Sequence, residues 1–180
     1  EARFAPTFFD LFTAAAFVHF RRRRVPFAVI EVGLGGRLDS TNVLSPSACA
    51  ITTIDFDHTD ILGHTLGRIA AEKCGILRPC VPCITAETKR EPMAVIEAAL
   101  AAHGGLLRCL GRDLHVTNVR PLSISNTTFV EAQRHRPPTG GIAFDLATPD
   151  HAWTHLRLPV AGKHQARNAA VAVGLLEALA

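Results

Sequence analysis

The residues whose types and places suggest chemistry are Glu31, Asp55, Asp57, His58 and Lys73. Glu31 stands near the end of the apolar run Phe27–Val32, which is rich in Val and Ile and has no polar/apolar alternation. Such a run predicts a strand buried on both faces of a parallel sheet. A lone carboxylate there is costly unless a cation or a hydrogen-bond network meets it. A second run, Ala48–Ile54, ends in Asp55, Asp57 and His58. Ligands of open parallel sheets bind beyond the carboxyl ends of the strands. Two strands that deliver acidic and imidazole groups to that end predict a polar, metal-bearing site. The metal-free alternative is a buried Glu31–His58 hydrogen-bonded pair.

Lys73 draws attention through its helical position. Leu66, Ile69, Ala70 and Lys73 fall at i, i+3, i+4 and i+7 after a capping Thr65, so Lys73 is expected on the stripe that faces the sheet. An ammonium in that place is poorly solvated, which makes the neutral amine, the form that adds carbon dioxide, accessible. The plain alternative is a lysine that snorkels to the helix edge or pairs with Glu31 or Asp57.

The elements that must hold these groups follow from punctuation and period. Thr7 with Asp10 predicts a helix start, and Phe8, Leu11, Phe12, Ala15, Ala16 and Val18 a core-facing helix ending at Arg21–Arg24, where cations suit the C-terminal dipole. The glycines of Gly33-Leu34-Gly35-Gly36 allow a tight turn or a close approach. Leu38 stands where a third glycine would be needed, so the dinucleotide fingerprint fails. Asp39, Ser40, Thr41 and Asn42 are turn and cap formers. Strand Val81–Thr85, helix Pro92–Ala102 and strand Leu106–Leu110 continue an α/β alternation. Between 111 and 160 the pattern changes to short Thr- and Val-containing runs, with antiparallel strands expected near Thr127–Ala132, Gly141–Ala147 and His155–Pro159. The histidines there (115, 135, 151 and 155) read as surface or turn residues. A last helix is expected over His164–Leu179, with Ala172, Leu175, Leu176 and Leu179 on its apolar face.

With 180 residues, 48% of them hydrophobic, the chain can bury one real core. The fold class is α/β, a mostly parallel sheet flanked by helices with a small antiparallel β subdomain. A net charge of +3, without a basic groove pattern, argues against a nucleic-acid partner. No apolar run reaches membrane-span length and no signal peptide is visible, so no membrane partner and a cytoplasmic location are expected. Five cysteines without a second C-x-x-C pair read as reduced, largely buried thiols rather than a zinc site. The first residue is Glu1 and the last lies inside a helical pattern, so residues 1–180 are read as one truncated domain, with 111–160 a β-rich subregion; a monomer is expected, though no pattern in the sequence bears on it.

Four segments together resemble the folylpolyglutamate synthase/dihydrofolate synthase family of the Mur ligase superfamily. They are E-V-G-L-G-G-R-L-D-S-T-N at 31–42, D-H-T-D-I-L-G at 57–63, A-E-K-C-G-I at 71–76 and G-K-H-Q-A-R-N-A-A at 162–170. The resemblance implies the central ATPase-type domain of an ATP-dependent ligase that adds L-glutamate to dihydropteroate or folates through an acyl phosphate. It implies Mg²⁺ held by Glu31 and His58, and a carbamylated Lys73 beside a second magnesium site. It also implies Thr7, Asp10, Asp39, Ser40 and Thr41 at the folate site, with Asp10 replacing a longer acid, and His164, Gln165 and Asn168 at the ATP. The family's phosphate loop, G-x-x-x-x-G-K-[ST], occurs nowhere in the 180 residues. In the family it precedes this region, and a C-terminal domain follows it, so the chain by itself is expected to be inactive. The alternatives are another Mur-type amino-acid ligase and a non-catalytic nucleotide-binding module.

Overall fold

The computed structural model describes residues 5–122 and 140–180. Helix α1 spans Phe8–Arg23 and begins as its sequence requires. The Thr7 hydroxyl accepts from the Asp10 N–H, and Asp10 Oδ2 accepts from the Thr7 N–H at 2.7 Å, which satisfies donors that a helix start leaves open. Arg21, Arg22 and Arg23 fill its last turn. The expectation that Phe8, Leu11 and Phe12 face the core is corrected: Phe8 is 77% exposed and the other two are exposed as well, and only Thr13 of this helix is buried.

The run Phe27–Val32 is corrected too. It forms no strand; Phe27 is 82% and Val29 99% exposed. A run without alternation reports apolar character on both sides but names no neighbour. Among the described residues the parallel sheet has three strands, in the order β1 (Cys49–Ile51), β2 (Cys83–Thr85), β3 (Leu107–Cys109). These strands are shorter than the apolar runs that carry them. Between β1 and β2 lie α2 (Thr59–Leu62) and α3 (Leu66–Cys74), the latter capped by the Thr65 hydroxyl as expected. Helix α4 (Arg90–His103) joins β2 to β3 and packs on α3. Ile69, Ala70, Ile96, Leu100 and Cys83 form the fully buried centre of this half.

Beyond β3 the chain builds the expected antiparallel sheet from β4 (His115–Pro121), β5 (Ile142–Ala147) and β6 (Ala152–Leu158). Strand β4 had not been foreseen, and the strand expected near Thr127–Ala132 lies outside the described residues, as does His135. Helix α5 (His164–Ala178) covers both sheets. Its buried face is Ala166, Ala170, Val171 and Gly174, not the leucine stripe, and Leu176 and Leu179 are exposed. Small residues let the helix approach closely: a Cβ on Gly174 would stand 2.8 Å from Leu114 and 3.1 Å from Ile84.

All five cysteines are free, and four of them are buried. Burial pushes the Cys83 thiol up to about 12 and the Cys74 thiol to about 11, which fits inert core residues. No helix among the described residues is long and apolar enough to cross a membrane.

One ion cluster ties the two sheets and α5 together. Glu177 Oε1 lies 2.9 Å from His151 Nδ1 and accepts from the Thr148 hydroxyl at 2.8 Å. Its Oε2 lies 3.3 Å from Arg108 of β3, which also holds Asp150 at 2.7 Å. The Arg108 and Glu177 side chains are 14% and 9% exposed. Glu177→Ala leaves Arg108 paired with Asp150 but removes the charged hydrogen bonds of a nearly buried carboxylate, so it is expected to destabilise by about 2 kcal/mol. A lowered denaturant midpoint at unchanged slope checks this. An unchanged midpoint shows that solvent replaces the pair at no cost.

Candidate functional site

The loop after the 27–32 segment packs on the C-terminal turn of α3, which brings two of the chemistry-bearing segments together. The Arg37 N–H donates to the Glu72 carbonyl at 2.9 Å, and the Arg37 guanidinium grips the Glu72 carboxylate at 2.9–3.2 Å. The backbones approach so closely that neither side tolerates a Cβ. One on Gly36 would lie 2.8 Å from the Glu72 carbonyl and 3.0 Å from that of Lys73, and one on Gly75 2.3 Å from Arg37 Cβ. Asn42 seals the contact, donating from Nδ2 at 3.0 Å to the carbonyls of both Arg37 and Gly75. Arg78 donates in turn to Asn42 Oδ1 at 2.6 Å. These contacts explain the Gly, Arg and Asn positions without a ligand. They also place Lys73 against the glycine loop, in the last turn of α3 and half-buried, beside the fully buried Ile69 and Ala70.

The residues expected at a folate site converge as well. Ser40 hydrogen-bonds Asp10 Oδ1, which joins the start of α1 to the 3₁₀ turn Ser40–Val43. The Ser40 hydroxyl, then the Thr7 backbone and hydroxyl, hold the Asp10 carboxyl below its ordinary range. Asp39 turns its oxygens onto its own loop. Oδ2 accepts from the Leu34 N–H at 2.9 Å, and Oδ1 from the Thr41 N–H at 2.9 Å and its hydroxyl at 2.5 Å.

After β1 the chain delivers its polar groups to the carboxyl end of the sheet, as the strand-end rule requires. The anchor there is Glu87, a buried carboxylate that the sequence did not reveal. It accepts from the N–H groups of Ile54 at 2.5 Å, Thr88 at 2.7 Å and Lys89 at 2.6 Å. Lys89 reaches back to the Ile54 carbonyl and lies 3.2 Å from Asp55. The Phe56 N–H, then Lys89, hold the Asp55 carboxyl below its ordinary range. The Asp55–His58 loop is thereby pinned at its base. His58 caps α2 in a left-handed backbone conformation, exposed, with Nε2 3.6 Å from Asp57 Oδ1.

A cleft of about 540 Å³ opens at this strand end, lined by Glu31, Thr52, Thr53, Ala86, His164, Arg167 and Asn168. Thr52 and Thr53 follow β1, and Ala86 follows β2. The other three, apart from Glu31, come from the first turns of α5. Asn168 Nδ2 donates to Gln165 Oε1 at 3.2 Å, and Gln165 Nε2 lies 3.1 Å from His164 Nε2, so the three expected nucleotide residues form one chain. The cleft joins Glu31 to His164 and Asn168. His58 and Lys73 do not line it. Thr52, Thr53 and Arg167 had been missed: hydroxyls after a strand look like turn formers, and Arg167 like a solvated helix residue.

The polar side chains of the cleft beside Glu31 are two threonines and Asn168, which offer oxygens, with His164 and Arg167 in the same wall. Glu31 with those oxygens suits Mg²⁺, which takes one or two carboxylates and completes its shell with water and phosphate oxygens. Among the described residues no three His, Cys, Asp or Glu side chains gather to hold a metal unaided.

The family model for the Mur ligase middle domain matches residues 7–176. The chain belongs to the Mur ligase middle domain family. It is 34% identical over 169 residues to a dihydrofolate synthase/folylpolyglutamate synthase of Bacillus subtilis (strain 168), covering 93% of this chain and 36% of that protein. It is also 34% identical over 173 residues to a folylpolyglutamate synthase of Lacticaseibacillus casei, covering 96% of this chain and 37% of that one. Among solved structures, a folylpolyglutamate synthase complex with AMPPCP superposes at a TM-score of 0.85 with 33% identity, over 99% of this chain and 40% of the other. The complex with AMPPCP and folate superposes at 0.85 with 32% identity over the same shares. This Mur ligase domain thus spans little more than a third of the length of the curated relatives it matches.

Proposed function

We propose that this chain is the central, nucleotide-binding part of an ATP-dependent ligase that joins L-glutamate to dihydropteroate or a folate. The observation that carries the reading is the cleft, which gathers a carboxylate, strand-end hydroxyls and the first turns of α5 from segments far apart in sequence. The similarity to folylpolyglutamate synthases solved with AMPPCP, and with AMPPCP and folate, supports the substrate class. The E-V-G-L-G-G-R-L-D-S-T-N loop favours the folate branch over a cell-wall peptide ligase.

In this reading the substrate carboxylate attacks the γ-phosphorus of ATP, ADP leaves, and the amine of glutamate displaces phosphate from the acyl phosphate. Mg²⁺, when bound, supplies charge neutralisation at the phosphoryl oxygens. Glu31 and His58 are its proposed protein ligands, with a carbamylated Lys73 at a second position. His164, Gln165 and Asn168 hold the nucleotide. Thr7, Asp10, Asp39, Ser40 and Thr41 form the wall nearest the folate; their mutual hydrogen bonds fix its shape before substrate arrives.

The test is ADP release by the full-length protein. Release that requires a pterin or folate substrate together with glutamate supports the reading. Nucleotide binding without turnover supports the non-catalytic module. Turnover only with another acid–amino-acid pair supports a different Mur-type ligase.

A further inference from the structure

The cleft contains one guanidinium that no expected role accounts for. Among the described residues, Arg167 is the sole lysine or arginine in its wall. One Nη donates to the Ala86 carbonyl at 3.0 Å, which ties the side chain to the end of β2, and the residue is half-buried. The arginines that pair with carboxylates among the described residues are Arg37, Arg108 and Arg112. Arg167 is in none of these pairs, although Glu31 lines the same cleft.

Opposite charges that line one cleft without an ion pair between them leave room for a group complementary to both. A partly desolvated guanidinium without a counter-ion favours an anion. Its donors beyond the one given to Ala86 retain the planar fork that matches phosphate oxygens. A metal–polyphosphate answers both walls, with its cation toward Glu31 and its phosphate oxygens toward Arg167.

We propose that Arg167 binds the polyphosphate of the nucleotide, with Ala86 fixing the guanidinium in place. This rests on the ligase reading and extends it to a residue that neither periodicity nor the nucleotide-segment resemblance singled out.

The test measures AMPPCP binding to the full-length protein with magnesium, across potassium chloride concentrations, for the wild type, Arg167→Met and Arg167→Lys. Arg167→Met is expected to weaken binding about tenfold or more at low salt. Its salt dependence should also become shallower, because a charge–charge contact is lost. Arg167→Lys, which keeps the charge without the fork, should fall between the two and keep a salt dependence near that of the wild type. Unchanged affinity in Arg167→Met overturns the inference alone. So does weakening by one constant factor at every salt concentration in both variants, since that marks a residue that merely joins α5 to Ala86. Wild-type protein that binds no AMPPCP overturns the ligase reading and this inference together.

Discussion

Glu31→Gln in the full-length protein is expected to lower turnover in the proposed ligase reaction by about 10²- to 10³-fold, the usual cost of removing one preorganised charge-stabilising group. The same change should alter stability by less than about 0.5 kcal/mol, the range of surface substitutions without structural partners. Glu31 meets that condition: it is exposed and lines the cleft mouth. The two readouts therefore separate a metal ligand from a structural carboxylate. Raising magnesium should recover part of the lost rate if the variant binds the metal more weakly. Normal turnover with normal magnesium dependence would remove Glu31 from the metal site. His58→Ala is the companion variant. Its ring is exposed at the start of α2 and outside the cleft wall, so loss of activity there requires the pinned Asp55–His58 loop to close on the bound nucleotide. Unchanged activity would leave Glu31 as the only protein ligand proposed from these two segments.

The sequence carried most of what positions this cleft, because local signals decide it. Thr7 with Asp10, and Thr65, sit where hydrogen-bonding side chains place helix starts, and α5 begins at His164 as expected although no side chain caps it. The α/β alternation from β1 to β3 and the change to antiparallel strands also follow from local pattern. Orientation was less legible. Phe8 and Phe12 look like core in any helical projection, yet a projection cannot name the surface that covers them. The buried face of α5 is lined with alanine and glycine because the helix lies close on Ile84 and Leu114, and closeness of approach has no periodic signature. Glu87 and Arg167 were missed for a related reason. Each gains its meaning from backbone groups of a distant segment, the Ile54 N–H for one and the Ala86 carbonyl for the other. A residue that answers a remote backbone atom leaves no pattern among its neighbours.

Lys73→Arg in the full-length protein is expected to abolish most turnover in the proposed ligase reaction, by about 10²-fold or more, while the protein stays folded. Arginine keeps the positive charge and the long stem but cannot form a carbamate. The proposed modification joins the neutral Lys73 amine to carbon dioxide, giving an N-carboxylate and one released proton. That replaces an amine with one negative charge shared by two oxygens, suited to a hard metal ion. The location favours this over a plain surface lysine. Lys73 sits half-buried in the last turn of α3, on the stripe of the fully buried Ile69 and Ala70. The glycine loop that follows Glu31 presses on its backbone through Gly36. Among the described residues it enters no ion pair with Glu31 or Asp57: His58 lies beside Asp57, and Lys89 takes Asp55. Lys73→Ala should be similarly inactive, and acetate or another short carboxylate should restore part of its turnover by supplying the missing oxygens. The modification also has a direct readout, a mass increase of one carbon dioxide on Lys73 that disappears when bicarbonate is removed. Full turnover by Lys73→Arg would show that the carbamate is not needed. Failure of short carboxylates to rescue Lys73→Ala, together with an unmodified mass, would leave Lys73 as a snorkelling lysine that closes the end of α3.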